Sequence, residues 1–283
     1  MQNTPHLATA TSDLSCASEN LIALTSELIA IEDCPIAELA PVLHISQIAL
    51  NRVHEQVKAT LFLYQQGHWA AFEALSRVAT EYCVRLEWLM QNDPRQTFGY
   101  YFFQYFAESK KYQLKHRKLL EQRNDHEELK YLAKAEKELA FREDAMRGYA
   151  DFCGFTLSDD FPLKSVLSVF KQLDRTNDYR GLYSALSSQI HADAGSLVDY
   201  VITQCMEWPN ELKAIQLEEV RTWMAYFLAK VVNSHSVATM SWAQRFGFAV
   251  KLSEIEDIRR SIELPTSVIQ AVFGNLHRRA REA

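Results

Sequence analysis

The chain has 283 residues, 48% hydrophobic and 23% charged, which suits one large globular domain or two small ones and excludes disorder throughout. Eight Gly and seven Pro exclude collagen-like and low-complexity chains and leave few turns for a sandwich or barrel, so a mainly helical protein is predicted. The net charge of −6 resides in residues 1–51, where Asp13, Glu19, Glu27, Glu32, Asp33 and Glu38 meet no Lys or Arg, while residues 52–283 balance; a domain-wide basic footprint for nucleic acid is thereby excluded.

Residues 1–18 are rich in Ser, Thr, Ala and Asn and read as a frayed, separable acidic arm, with residues 19–283 as a single helical domain. Leu21, Leu24, Leu28 and Ile31 recur at helical spacing until Pro35 and Pro41 interrupt it. One helix is predicted from about Pro41 to Gln66, before Gly67, and a second from His68 to about Gln91. Pro94 then occupies a favoured first-turn position.

The next segment opens on Phe98, Tyr100, Tyr101, Phe102, Phe103, Tyr105 and Phe106 and becomes charge-rich up to Arg123. Asn124 and Asp125 suit a corner, and a further helix runs to Phe152, closed by Gly154. Residues 95–152 therefore read as a projecting antiparallel helical pair. Shorter helices follow: Pro162–Leu173, Asp178–His191 and Ser196–Met206. Leu212, Ile215, Val220, Met224, Phe227 and Val231 mark a long amphipathic one. Ser253 and Glu256 fit a capping box, and Leu264–Pro265 is predicted to open the last helix. The fold class is thus an all-α multi-helix bundle with a protruding long antiparallel pair.

No run of about 18 apolar residues is present, so no membrane span is predicted. The N-terminus lacks the positive start of a secretory signal. Cys16, Cys34, Cys83, Cys153 and Cys205 are scattered, odd in number and without C-x-x-C spacing, which points to a reducing, cytoplasmic setting and not to a thiolate metal site. Phosphate-loop, dinucleotide, metalloprotease and serine-elbow signatures are absent. No cofactor and no metal are predicted.

Glu73, Arg77, Glu81 and Arg85 alternate in sign at four-residue spacing, so successive side chains share one helix face. Such a ladder is either solvated or, because Trp69, Phe72, Leu75, Val78, Ala79, Tyr82, Cys83, Leu86, Leu89 and Met90 make this helix apolar, part of an internal polar pocket. A second stretch, Tyr183 to Asp193, places Ser187 and His191 beside a helix junction at Gly195. Its histidine is either a hydrogen-bonded core residue or a general base. The aromatic run preceding Lys110, Lys111, Lys115, His116, Arg117 and Lys118 has the composition of a stacking and charge surface for nucleic acid. Glu127, Glu128, Glu136 and Glu138 on the returning helix oppose it.

Arg77-Val78-Ala79-Thr80-Glu81 after a Gly-containing turn, the Trp88-Leu89 and Asp93-Pro94 exit, and Tyr-x-x-Leu-Ser-x-x-x-His from Tyr183 to His191 resemble the bacterial helical family catalogued as domain of unknown function 5677. The resemblance covers roughly residues 45–235. It implies an all-helical fold in which Arg77, Glu81 and His191 converge, and no established activity. The expectation is a binding or interaction module with an internal Arg–Glu–His site, Tyr183, Ser187, Arg85, Lys111 and Lys115 contributing to binding, and a protein partner, a small ligand or a second copy as its target. The alternative is a metal-independent ribonuclease distantly similar to HEPN domains, in stress or phage defence. The Arg and His four to six residues apart that such nucleases carry on one helix are absent here.

Overall fold

Residues 7, 10, 14, 17, 21, 24 and 28 are Leu, Ala, Leu, Ala, Leu, Leu and Leu, and all seven are buried. Steps of three and four put them on one seam of a helix, and in the computed structural model that helix, α1, runs unbroken over Thr4–Ile29. The separable arm is therefore corrected. Its Ala10 and Ala17 are small but apolar, and they extend the Leu21–Leu28 stripe back to Leu7. The structure describes residues 4–158, 165–180 and 210–282.

The seam of α1 packs chiefly on the last helix, α9 (Ala249–Glu282), whose Ile255, Ile262 and Ile269 are buried at seven-residue intervals. Lys251, near the start of α9, reaches Glu27, near the end of α1, at 2.6 Å, so the two helices run antiparallel. Two expectations for this region are overturned. Ser253 lies inside α9 and does not cap it, and Leu264–Pro265 does not open a helix. Proline costs about 3 kcal/mol in a helix interior, but the burial of Ile262, Pro265 and Ile269 along one face holds the helix together across it.

Helix α2 (Ala40–Gln65) carries Pro41 in its first turn, and α3 (Trp69–Gln91) follows a left-handed Gly67. Helices α3 and α8 (Asn210–Phe246) pack closely on each other at the centre. From Met224 to Phe246, α8 is buried on most of its circumference, as a helix apolar all round should be. Trp242 is fully buried, stacks on Phe248 at a ring-centroid distance of 5.3 Å and donates its indole N–H to Ser46 Oγ at 3.1 Å.

Asp93 caps α4 (Pro94–Arg123) through the Arg95 amide, and Asp125 caps α5 (His126–Cys153) through the Glu128 amide. Asn124 between them is left-handed, as the corner required. Lys110 pairs with Glu143 and Arg117 with Glu136: seven residues forward on one helix match seven back on the other, which is an antiparallel register. The seam residues Phe106, Leu120, Leu132 and Leu139 are buried but stand apart from the continuous core, so this pair projects as an arm. Its root is fastened at Gly99, where an added Cβ would sit 2.1 Å from the Thr156 carbonyl oxygen. After that root come α6 (Val166–Gln172) and the single turn α7 (Thr176–Asp178). All described elements are helical, and no described helix is long and apolar enough to cross a membrane.

Candidate functional site

On α3 the alternating ladder resolves into a specific pair. Glu81 Oε1 accepts from Arg85 Nε at 3.0 Å and from Arg85 Nη2 at 2.8 Å, with both side chains partly buried. Glu73 and Arg77 are half-buried on the same helix. Tyr101 from α4 lies beside this pair; burial, ahead of the opposing pull of Arg85, raises its phenol above the usual value. Tyr183, Ser187 and His191 lie outside the described residues, and so does the expected convergence of His191 on Arg77 and Glu81.

The most thoroughly connected polar group lies one to two turns further along α3 and was not singled out by the sequence. Glu87 is 4% exposed. Its Oε2 accepts from Arg175 Nη1 at 2.6 Å, and its Oε1 from Gln91 at 3.2 Å. Arg175 also donates to Asp178 Oδ2 at 2.9 Å and to Ser234 Oγ at 2.7 Å, while Lys230 reaches Asp178 Oδ1 at 3.2 Å. The left-handed Asp174 turns the chain so that Arg175 faces inward. Burial pushes the Glu87 carboxyl up from its ordinary range, against the pull of Arg175. Burial also opposes ionisation of Asp178, but Arg175 and Lys230 outweigh it and bring its carboxyl below the usual range. In this network two acids and two bases tie α3, α7 and α8 together, and each charged side chain is paired with one of opposite sign.

A local signal for it existed. Lys230 is the sole charge between Arg221 and Arg245 in a long apolar helix, and Glu87 is flanked by Leu86 and Trp88. A charge isolated among apolar residues must find a buried partner.

A second buried polar group joins α1, α2 and α8. Thr25 Oγ1 donates to the Leu21 carbonyl at 2.7 Å and lies 3.2 Å from His235 Nε2. With the hydroxyl hydrogen so used, the imidazole is the donor. His54 Nε2 similarly meets Ser26 Oγ at 3.3 Å. The Nδ1 atoms of both rings are buried without a hydrogen-bond partner. Burial, reinforced by His54, lowers His235 to about 3.

The arm has a different character. Along one side of it a groove is lined by Tyr105, Glu108, Tyr112 and His116 of α4 and by Glu128, Tyr131, Glu138 and Arg142 of α5. Tyr112 is 70% exposed and Tyr131 68%. Lys111 and Lys115 are exposed on α4 outside the residues that line this groove, further round the helix from Tyr112 and away from α5. Other cations of the arm are engaged, Lys110 and Arg147 by Glu143, Arg117 by Glu136 and Arg142 by Glu138. Among the described residues no group of three or more His, Cys, Asp or Glu is placed to hold a metal ion.

A family model described as a family of unknown function (DUF5677) matches residues 44–206, more than half of the chain. The chain belongs to that family. The matched region includes the Glu81–Arg85 pair, the whole arm, and Glu87, Arg175 and Asp178, whereas Lys230, Ser234 and His235 lie beyond it. No curated protein and no solved structure matches the chain.

Proposed function

We propose that this chain is a helical interaction module that binds a protein partner along the α4–α5 arm. Arg77, Glu81 and His191 are in this reading an internal polar site of the body. The observation that carries it is the contrast between two surfaces. The charged side chains of the body's central network are consumed by one another, whereas two tyrosines stand in an open groove on a projecting element. Tyrosine supplies a large amphipathic contact area and is enriched where proteins meet. A groove open along its length suits a polypeptide better than an enclosed small ligand. Cys16, Cys34, Cys83 and Cys153 are free thiols, which supports the cytoplasm as the place of action.

The ribonuclease alternative has its own test. Purified protein is incubated with single-stranded RNA in EDTA, beside Arg77→Ala and His191→Ala. The interaction reading expects intact RNA in all three. Cleavage by the parent protein that is lost in both variants would overturn it, because those substitutions remove the phosphate-stabilising cation and the general base.

A further inference from the structure

The described residues that line the arm's groove carry three carboxylates, Glu108, Glu128 and Glu138, against one arginine, Arg142. Arg142 is already engaged: it pairs with Glu138 and donates to the Tyr105 hydroxyl. No arginine or lysine of the lining is left to balance the exposed Glu108 and Glu128. The same lining presents the rings of Tyr112 and Tyr131, which are 70% and 68% exposed.

The face of a tyrosine ring is electron-rich and attracts a cation lying within about 6 Å of its centroid. In the body of this chain Lys230 Nζ lies over the Tyr226 ring in this way, 5.7 Å from its centroid. Tyrosine faces beside unbalanced carboxylates therefore favour a cationic occupant. By the arm's register, with Lys110 opposite Glu143 and Arg117 opposite Glu136, Tyr112 is level with Phe141, ten residues along α5 from Tyr131. Ten helical residues span about 15 Å. One small cation cannot lie on both rings, so an occupant that uses both brings at least two cationic groups. Phosphates are repelled by the same carboxylates, which disfavours a nucleic acid. The groove of a second copy carries the same excess of carboxylates and is no complement to this one.

We infer that the occupant of the arm's groove is a basic polypeptide segment of a partner protein, whose Lys or Arg side chains lie on the Tyr112 and Tyr131 rings and pair with Glu108 and Glu128. The inference rests on the interaction reading above and names the chemistry of its partner.

Fluorescence anisotropy with the full chain tests it, using two labelled peptides of equal length, one alternating Arg with Ser and one alternating Glu with Ser. The Arg peptide is expected to bind and the Glu peptide not to. Tyr112→Ala/Tyr131→Ala and Glu108→Gln/Glu128→Gln are each expected to weaken binding at least tenfold with unchanged circular dichroism. Tyr112→Phe/Tyr131→Phe keeps both rings and is expected to keep binding. Glu32→Gln/Asp33→Gln removes as much charge from an exposed stretch of the body and is expected to leave the affinity unchanged. An Arg peptide that does not bind, or that loses as much affinity to the Glu32/Asp33 variant as to the Glu108/Glu128 variant, would overturn the inference. So would displacement of the peptide by spermine at equal concentration, which assigns the groove to a small polyamine. A photo-cross-linker at position 112 that captured a protein while the Arg peptide failed to bind would overturn the basic partner and leave the interaction reading standing. No peptide binding and no adduct at position 112 would overturn both.

Discussion

Arg175 is the residue on which the body's polar centre turns, because three acceptors on three elements converge on its guanidinium. Arg175→Ala leaves the buried Glu87 without its cation and with only the Gln91 amide as donor, and breaking a buried pair in that way costs about 3–5 kcal/mol. Urea denaturation is expected to show a loss of that size. Replacing both partners, as Arg175→Met with Glu87→Leu, should cost much less, since no charge is then stranded. A single-variant loss below about 1 kcal/mol would mean that Glu87 takes up its proton or is reached by water. His235 makes a different prediction. Its folded value of about 3 lies below the unfolded value of about 6.5, so between those limits the unfolded chain binds more protons. Stability therefore rises with pH through this window and is lost as pH falls from about 6.5, with a slope approaching about 1.4 kcal/mol per pH unit. His235→Gln keeps an N–H for Thr25 and removes the titration, so its melting temperature should fall less steeply between pH 7 and pH 4.5. Parallel curves for the two proteins would contradict the assignment.

At the scale of elements, α1 and α9 are one structural unit, a seven-residue seam on each side. Leu14 is fully buried within it, and Leu14→Ala is expected to cost about 2–5 kcal/mol. A change within about 0.5 kcal/mol would restore the loosely attached arm that the composition of residues 1–18 suggests. That composition misled for a physical reason. Thr9, Ser12 and Asp13 on the exposed side of α1 weigh on the average, while the pattern of Leu7, Ala10, Leu14 and Ala17 decides the packing. Pro265 misled in the same manner, since its local preference is outweighed by the core beneath it. Elements whose ends are fixed by local chemistry were legible to within a residue or two. Gly67 ends the turn before α3, Asp93 and Pro94 start α4, Asn124 and Asp125 turn the arm, and Gly154 closes it. The site was legible only in part. Glu81 and Arg85 are four apart on one helix, and their pairing could be read from the spacing. Glu87 and Arg175 are 88 positions apart, and only the solitary placement of Glu87 and Lys230 among apolar residues hinted at a buried partner.

At the scale of the whole molecule, the described residues carry two contrasting polar regions. In the body, charge is folded inward and neutralised, and membership of DUF5677 covers the part that supplies most of that network. On the arm, Tyr112 and Tyr131 stand exposed in an open groove, and in the reading proposed here that groove serves recognition. The central claim is that this groove is where the chain meets protein. A benzophenone amino acid at position 112, activated by light in cells expressing the full chain, tests it most directly. The account predicts a protease-sensitive adduct at 112 and far less from the same group at Ile48, an exposed apolar position of the body. An adduct at 112 that ribonuclease removes, or equal yields at the two positions, would contradict it.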